Sequence, residues 1–154
     1  HAAAAGISIA EEQVTAFSQA FEAFVRQQQP GGPPLPALEF DGAAGLAEFD
    51  GDFFDQLDRL APFGINNPEP ILRVEAARFA ARPELFGRRG EHLRGAITDS
   101  KGNLRPFYSW NGKEQFGQVA APGQVFTALV RPEINRWRGN RHPRLVFVDG
   151  FTAA

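Results

Sequence analysis

Arg131, Arg136, Trp137, Arg138, Arg141, His142 and Arg144 fall within fourteen consecutive residues. A second group, Arg105, Phe107, Tyr108, Trp110 and Lys113, lies a little upstream. Cations attract a phosphate backbone and aromatic rings stack on unpaired bases, at about 1–3 kcal/mol per base, so interleaving the two suits single-stranded nucleic acid. Arg105, Lys113, Arg131, Arg136, Arg138, Arg141 and Arg144 are therefore candidate phosphate contacts. Tyr108, Trp110 and Trp137 are candidate stacking rings. The structural alternative is that Phe107, Tyr108 and Trp137 fill a core while the arginines solvate its surface.

Other chemistry finds less support. His1, His92 and His142 are far apart and lack an HxxxH or HxD partner, so they do not spell a metal site. Asp50, Asp52, Asp55 and Asp58 have a DxDxxDxxD spacing, but the glycine and glutamate of an EF-hand loop are missing in register. They read as acids at a helix N-terminus, complementing its dipole. No GxSxG elbow occurs, and Gly87-Arg88-Arg89-Gly90 is not a Walker loop. That short basic stretch fits phosphate contact and a solvated hairpin turn equally well. No residue is assigned a catalytic or metal-binding role. The absence of cysteine excludes thiolate metal sites, a catalytic thiol and disulfides, and fits a reducing compartment.

The elements that must carry these residues follow from hydrophobic period. Val14, Phe17, Phe21, Phe24 and Val25 form a helical stripe, predicting a helix over 10–29 that ends by Pro30. Ser8 and Glu11 have capping-box spacing. So aromatic a stripe requires a partner surface, either beyond this fragment or on the following domain. Residues 30–37, PGGPPLPA, predict a semi-rigid linker. An acidic connector follows, with a short strand at Leu38–Phe40, then a second helix over about 52–61 closed by Pro62.

After Pro70 the period changes to two. Strands are expected at 71–79, 92–98, 104–110, 124–131 and 144–151, with turns at 99–103 and 137–140. The stretch 111–118 has room for a short helix or loop, and 132–143 reads as a loop. Five strands with an insertion between the third and fourth is the layout of an OB-fold, although strand count alone also fits an SH3-like barrel. The expected class is α+β, mainly β: helices followed by a five-stranded OB-fold barrel.

Charge divides along the same line. Residues 1–70 carry two bases and eleven acids, net -9; residues 71–154 carry fourteen bases and seven acids, net +7. Ten of the eighteen aromatic residues lie in the basic part, which marks it for an anionic partner. Methionine is absent from the 154 residues, so a piece of a longer polypeptide is expected. No apolar run approaches a membrane span.

Two segments carry a family resemblance. His1-Ala2-Ala3-Ala4-Ala5-Gly6 resembles the end of the GGHxxAAG motif of DHHA1 domains, and the helix bearing Phe17, Phe21 and Phe24 follows where such a domain has one. Leu60-Ala61-Pro62-Phe63-Gly64-Ile65-Asn66-Asn67-Pro68-Glu69-Pro70 resembles the L-x-PFGxGNPEP signature of RecJ-like single-strand-specific exonucleases in the DHH/DHHA1 phosphoesterase family, with Asn66 in place of a glycine. Glu91-His92-Leu93-Arg94, Asn135-Arg136-Trp137-Arg138-Gly139 and the closing Asp149 extend the likeness along the chain. The DHH motifs that hold two catalytic metals in that family do not occur in this sequence.

The resemblance implies a division into 1–29, the end of a DHHA1 domain; 30–51, linker and connector; and 52–154, a helix with an OB-fold that binds single-stranded DNA. It places His1 near substrate phosphates. It also implies Mn²⁺ or Mg²⁺ in a separate catalytic domain, a role in DNA repair and recombination, a cytoplasmic, nucleoid-associated location, and the rest of the nuclease polypeptide and a single-strand-binding protein as partners. The competing expectation is an OB module that docks the nuclease core or another protein. A third, hydrolysis by the fragment itself, is tested by Mn²⁺ and labelled single strands, with no cleavage expected.

Overall fold

The computed structural model describes residues 5–32, 37–116, 121 and 123–151. The chain divides into two compact units, His1–Leu38 and Glu39–Ala154. In the first, a 3₁₀ turn at Glu11–Gln13 leads into helix α1, Val14–Gln28. Phe17 and Phe21 stack along one face of α1 with ring centroids 5.7 Å apart. The Ser8–Glu11 capping box does not form. Ala10 is the N-cap, which makes Glu11 the first residue of the turn instead of the third, and no side chain caps it.

The second unit holds β1 (Gly42–Ala43), a 3₁₀ turn (Leu46–Glu48), α2 (Gly51–Leu60), β2 (Leu72–Phe79), β3 (Glu84–Phe86), β4 (His92–Thr98), β5 (Leu104–Ser109), α3 (Gly112–Phe116), β6 (Val125–Trp137) and β7 (Asn140–Phe151). Antiparallel pairs β2–β4, β4–β5, β6–β7 and β2–β6, with the parallel pair β5–β7, close a ring of five strands. This is the OB-fold circuit, with β1 and β3 attached at its margins. The first strand must serve two neighbours. Its register shifts between Val74 and Ala77, with Ala76 at φ 52°, so the bulged strand pairs with β6 along most of its length and with β4 at its end.

Period-two alternation points Val74, Ala77, Phe79, Leu93, Ile97, Phe107, Val130 and Leu145 inward. Phe107 stacks on Phe147 at 4.5 Å, and Phe79 leans on Phe126 at 4.6 Å. Gly95 makes room for that stack, since a Cβ there would lie 3.1 Å from the Phe107 ring. Phe107 is thus core, as the structural alternative had it, while Tyr108, on the opposite pleat, is not.

Two of the expectations are corrected, the strand at Leu38–Phe40 and the loop at 132–143. The strand at Leu38–Phe40 forms instead at Gly42–Ala43, parallel to β2. The connector through residue 51 is built into the second unit, where Leu46 and Phe49 join the core. Residues 132–143 are not a loop: β6 and β7 stay paired from Thr127–Phe151 out to Trp137–Asn140, around a two-residue turn with Arg138 at φ 49° and Gly139 at φ 79°. Positive φ at both positions is the geometry of a tight hairpin turn.

α2 covers the ring beside β6. Asp50 is its N-cap, accepting from the Phe53 N–H at 2.9 Å, and Phe54 and Leu57 are buried beneath it. The connection to β2 is pinned by Asn67, whose amide donates to the carbonyls of Leu60 (2.8 Å) and Pro62 (3.1 Å).

Candidate nucleic-acid interface

The outward pleats of β4 and β5 and the projecting β6–β7 hairpin meet in a groove. A cavity of about 470 Å³ is lined by Pro106, Tyr108, Asn135, Trp137, Arg141, His142, Pro143 and Arg144. A second, of about 260 Å³, opens beside it and shares Pro106 and Tyr108, continuing to Arg82, Glu84 and Arg94. Tyr108 lies where the two join. Four sequence-predicted residues, Tyr108, Trp137, Arg141 and Arg144, therefore converge on one concave surface.

The rings on this surface carry cations. Arg144 sits over Tyr108 at 4.5 Å and over Trp110 at 5.8 Å. Arg138 lies 5.7 Å from the Trp137 ring, and Trp137 itself is 63% exposed at the hairpin tip. A cation beside a ring in this way suits a nucleotide, whose base can stack on the ring while its phosphate meets the cation. Trp110 is 45% exposed and packs edge-on against Phe86 (5.6 Å) and His92 (5.0 Å). Arg94 covers Phe86 at 5.7 Å.

Phe86, His92 and Arg94 belong to this face without being predicted to. The signal lay in the alternation of β4: with Leu93 and Ile97 inward, His92 and Arg94 must point outward. The imidazole of His92 accepts the Asn111 N–H at Nδ1 (3.0 Å), which orients the turn carrying Trp110.

Carboxylates position most of the cations. Glu133 accepts from Arg144 Nε at 2.7 Å and also takes its terminal nitrogen. Arg131 bridges Glu69 (3.1 Å) and Glu133 (3.7 Å). The glutamate of the PFGINNPEP segment thus starts a relay, Glu69–Arg131–Glu133–Arg144, that ends on the Tyr108 ring. Across the hairpin, Arg141 donates to Asp55 (2.8 Å) and Asp58 (3.0 Å), and Asp58 also accepts from Arg136. The hydrogen bond that Arg141 donates to Asp55 holds its guanidinium above the ordinary pKa.

Other predicted residues lie elsewhere. Arg105 points away, donating to the carbonyls of Phe49 (2.7 Å), Ala47 (3.4 Å) and Leu104 (2.8 Å). Its guanidinium fastens the segment before α2 to β5 instead of facing the groove. Lys113 is exposed on α3. His1 lies outside the described residues.

The Gly87–Gly90 stretch is a turn, closed by Gly90 N–H to Gly87 O at 3.2 Å. The Glu91 carboxylate accepts the Arg89 N–H at 2.8 Å, so an internal anion occupies the amide a phosphate would use. Backbone amides of Glu91 and Arg89 lower the Glu91 pKa. Among the described residues, no three His, Asp or Glu side chains gather to hold a metal ion. No helix among them is long and apolar enough to cross a membrane.

Residues 40–149 match the family model of the RecJ OB domain. The single-stranded-DNA-specific exonuclease RecJ of Bacillus subtilis (strain 168) is 24% identical over 149 residues, 97% of this chain and 19% of that protein. The crystal structure of RecJ in complex with Mg²⁺ from Thermus thermophilus aligns with a TM-score of 0.60 at 22% identity, over 90% of this chain and 21% of that one. Its Mn²⁺ counterpart aligns with a TM-score of 0.59 at 21% identity, over 97% and 20%. The chain spans about a fifth of the length of these relatives.

Proposed function

This chain belongs to the RecJ OB domain family, and from that premise we propose that it is the single-stranded-DNA-binding module of a RecJ-like 5′→3′ exonuclease acting in DNA repair and recombination. One observation carries the reading. Tyr108 and Trp137 offer ring faces in a single groove, flanked by Arg144, Arg138 and Arg141, on the strand face and hairpin that OB-folds use for oligonucleotides. Phosphates would run past the guanidiniums while unpaired bases stack on the rings. Among the described residues the groove offers no metal set, and its work is to hold and orient the strand. Hydrolysis belongs to a partner domain with the DHH motifs, and Mn²⁺ or Mg²⁺ would serve there. Residues 1–29 are assigned to the end of a DHHA1 domain, 30–51 to a linker and connector, and 52–154 to the helix and OB-fold. The reading carries with it the rest of the nuclease polypeptide as partner, a single-strand-binding protein as a further one, and a cytoplasmic, nucleoid-associated site of action.

The test is an equilibrium titration of the 154-residue chain with labelled oligothymidylate and with a duplex of equal length, across a salt series. Single strands should bind more tightly, and affinity should fall by about 0.7 log units per log unit of salt for each phosphate neutralised. Equal affinity for both forms, or binding indifferent to salt, refutes the reading and leaves the protein-docking alternative.

A further inference from the structure

Arg136 and Arg141 are cross-strand partners at the outer end of the β6–β7 hairpin. Two like charges directly opposite repel. The acidic face of α2 resolves this: Asp55 and Asp58, one turn apart, both accept from the Arg141 fork, and Asp58 also accepts from Arg136. The helix is fixed for that purpose by its Asp50 cap and by Phe54 and Leu57 buried beneath it. Two carboxylates thus stand where phosphate oxygens would sit, on a guanidinium that lines the same groove as Tyr108 and Trp137.

The consequence is one of selectivity. Attraction between free arginines and a phosphate backbone is blind to strandedness, and duplex, with its denser charge, profits from it more than single strand. Stacking is open only to unpaired bases. Withholding two cations therefore weakens the term that favours duplex and leaves the term that requires a single strand.

We propose that Asp55 and Asp58 are specificity-determining residues of the groove: by occupying Arg136 and Arg141 they suppress duplex binding and leave ring stacking to decide what is held. The proposal rests on the single-stranded-DNA reading given above. Partly exposed ion pairs add little to folding, so the carboxylates can be neutralised in a folded chain.

The experiment compares the 154-residue chain with D55N/D58N, with D55N alone and with D52N, an exposed acid on the same helix that has no arginine partner among the described residues. Probes are a labelled oligothymidylate, a duplex of equal length and inorganic polyphosphate, with thermal melts confirming folding. D55N/D58N should tighten duplex binding by about tenfold at low salt and steepen its salt slope by about 1.8, more than the about 1.4 expected for single strand. Adding R136Q/R141Q should reverse the gain. D55N alone should give a smaller change, because Asp58 still bridges both arginines.

An unchanged duplex affinity in folded D55N/D58N overturns the proposal. So does an equal gain from D52N, which would reduce the effect to bulk charge. If the unaltered chain ignores single strands while D55N/D58N still gains affinity for polyphosphate, the nucleic-acid reading fails and the masking of the two arginines stands.

Discussion

Trp137→Ala separates a ring that binds from a ring that packs. The side chain is 63% exposed, stands at the last pair of the β6–β7 hairpin and meets the Arg138 guanidinium, 5.7 Å away. It takes no part in the core cluster that includes Phe107 and Phe147. Truncation of such a surface ring leaves folding within about 0.5 kcal/mol of the parent. A base stacked on it contributes about 1–3 kcal/mol, which is a factor of about 5 to 160 in Kd. The salt slope should hardly change, because a neutral ring releases no counterion. Fluorescence anisotropy with a labelled oligothymidylate gives Kd and slope, and urea unfolding gives stability. Unchanged affinity, or a stability loss above about 1 kcal/mol at constant affinity, would show that the ring is structural and that the groove is misread.

Arg105→Ala should behave in the opposite way. It removes two donations, to the carbonyls of Phe49 and Ala47, that fasten the segment before α2, and a third to Leu104 within β5, so we expect a stability loss of about 1–2 kcal/mol by urea unfolding and less than a twofold change in oligonucleotide affinity. Ile97→Ala, wholly buried in the ring, should cost about 2–5 kcal/mol, read as a lower urea midpoint. Asp99 closes the β4–β5 turn, and its bond with the Asn103 amide lowers its pKa from the ordinary 3.8. A carboxylate with a folded-state pKa below its unfolded one stabilises above the unfolded value and loses that contribution as pH falls through the folded one. The unaltered chain should therefore lose stability more steeply than Asp99→Ala below about pH 4 in acid titrations followed by circular dichroism; parallel curves would refute the assignment.

The ring of strands was legible because its strands carry apolar residues against a buried core, alternating as Leu93 and Ile97 do in β4 or in runs such as Leu145–Phe147 in β7. The outer hairpin was not, for a physical reason. From Glu133 to Trp137 no residue is fully buried, so no inward-outward alternation marks the strand, and Pro132 argues for a loop. Pairing with β7 and the tight turn at Arg138–Gly139 hold it extended instead. The candidate rings Tyr108, Trp110 and Trp137 were visible as residue types, but their sorting from Phe107 needed the pleat of β5. The charge division misled in a different way. Net charges of -9 and +7 describe stretches of sequence, whereas Asp55 and Asp58 fold back on Arg136 and Arg141 from about eighty positions away.

That folding-back decides how the salt titration is to be read. Among the described residues, five cations border the groove and its extension: Arg82, Arg94, Arg138, Arg141 and Arg144. Three of them are committed, Arg94 to Glu84, Arg141 to Asp55 and Asp58, and Arg144 to Glu133. A strand that contacts only Arg82 and Arg138 would give a slope of about -1.4, and one that takes all five about -3.5. Competing for a committed arginine also returns a carboxylate to water, so phosphate gains there are partly cancelled, and the observed slope belongs nearer the shallow limit. A shallow slope with appreciable affinity then means that rings supply what the withheld cations do not. On the proposed reading, Arg144, held over Tyr108 through Glu133, therefore serves the geometry of the groove more than net attraction for DNA.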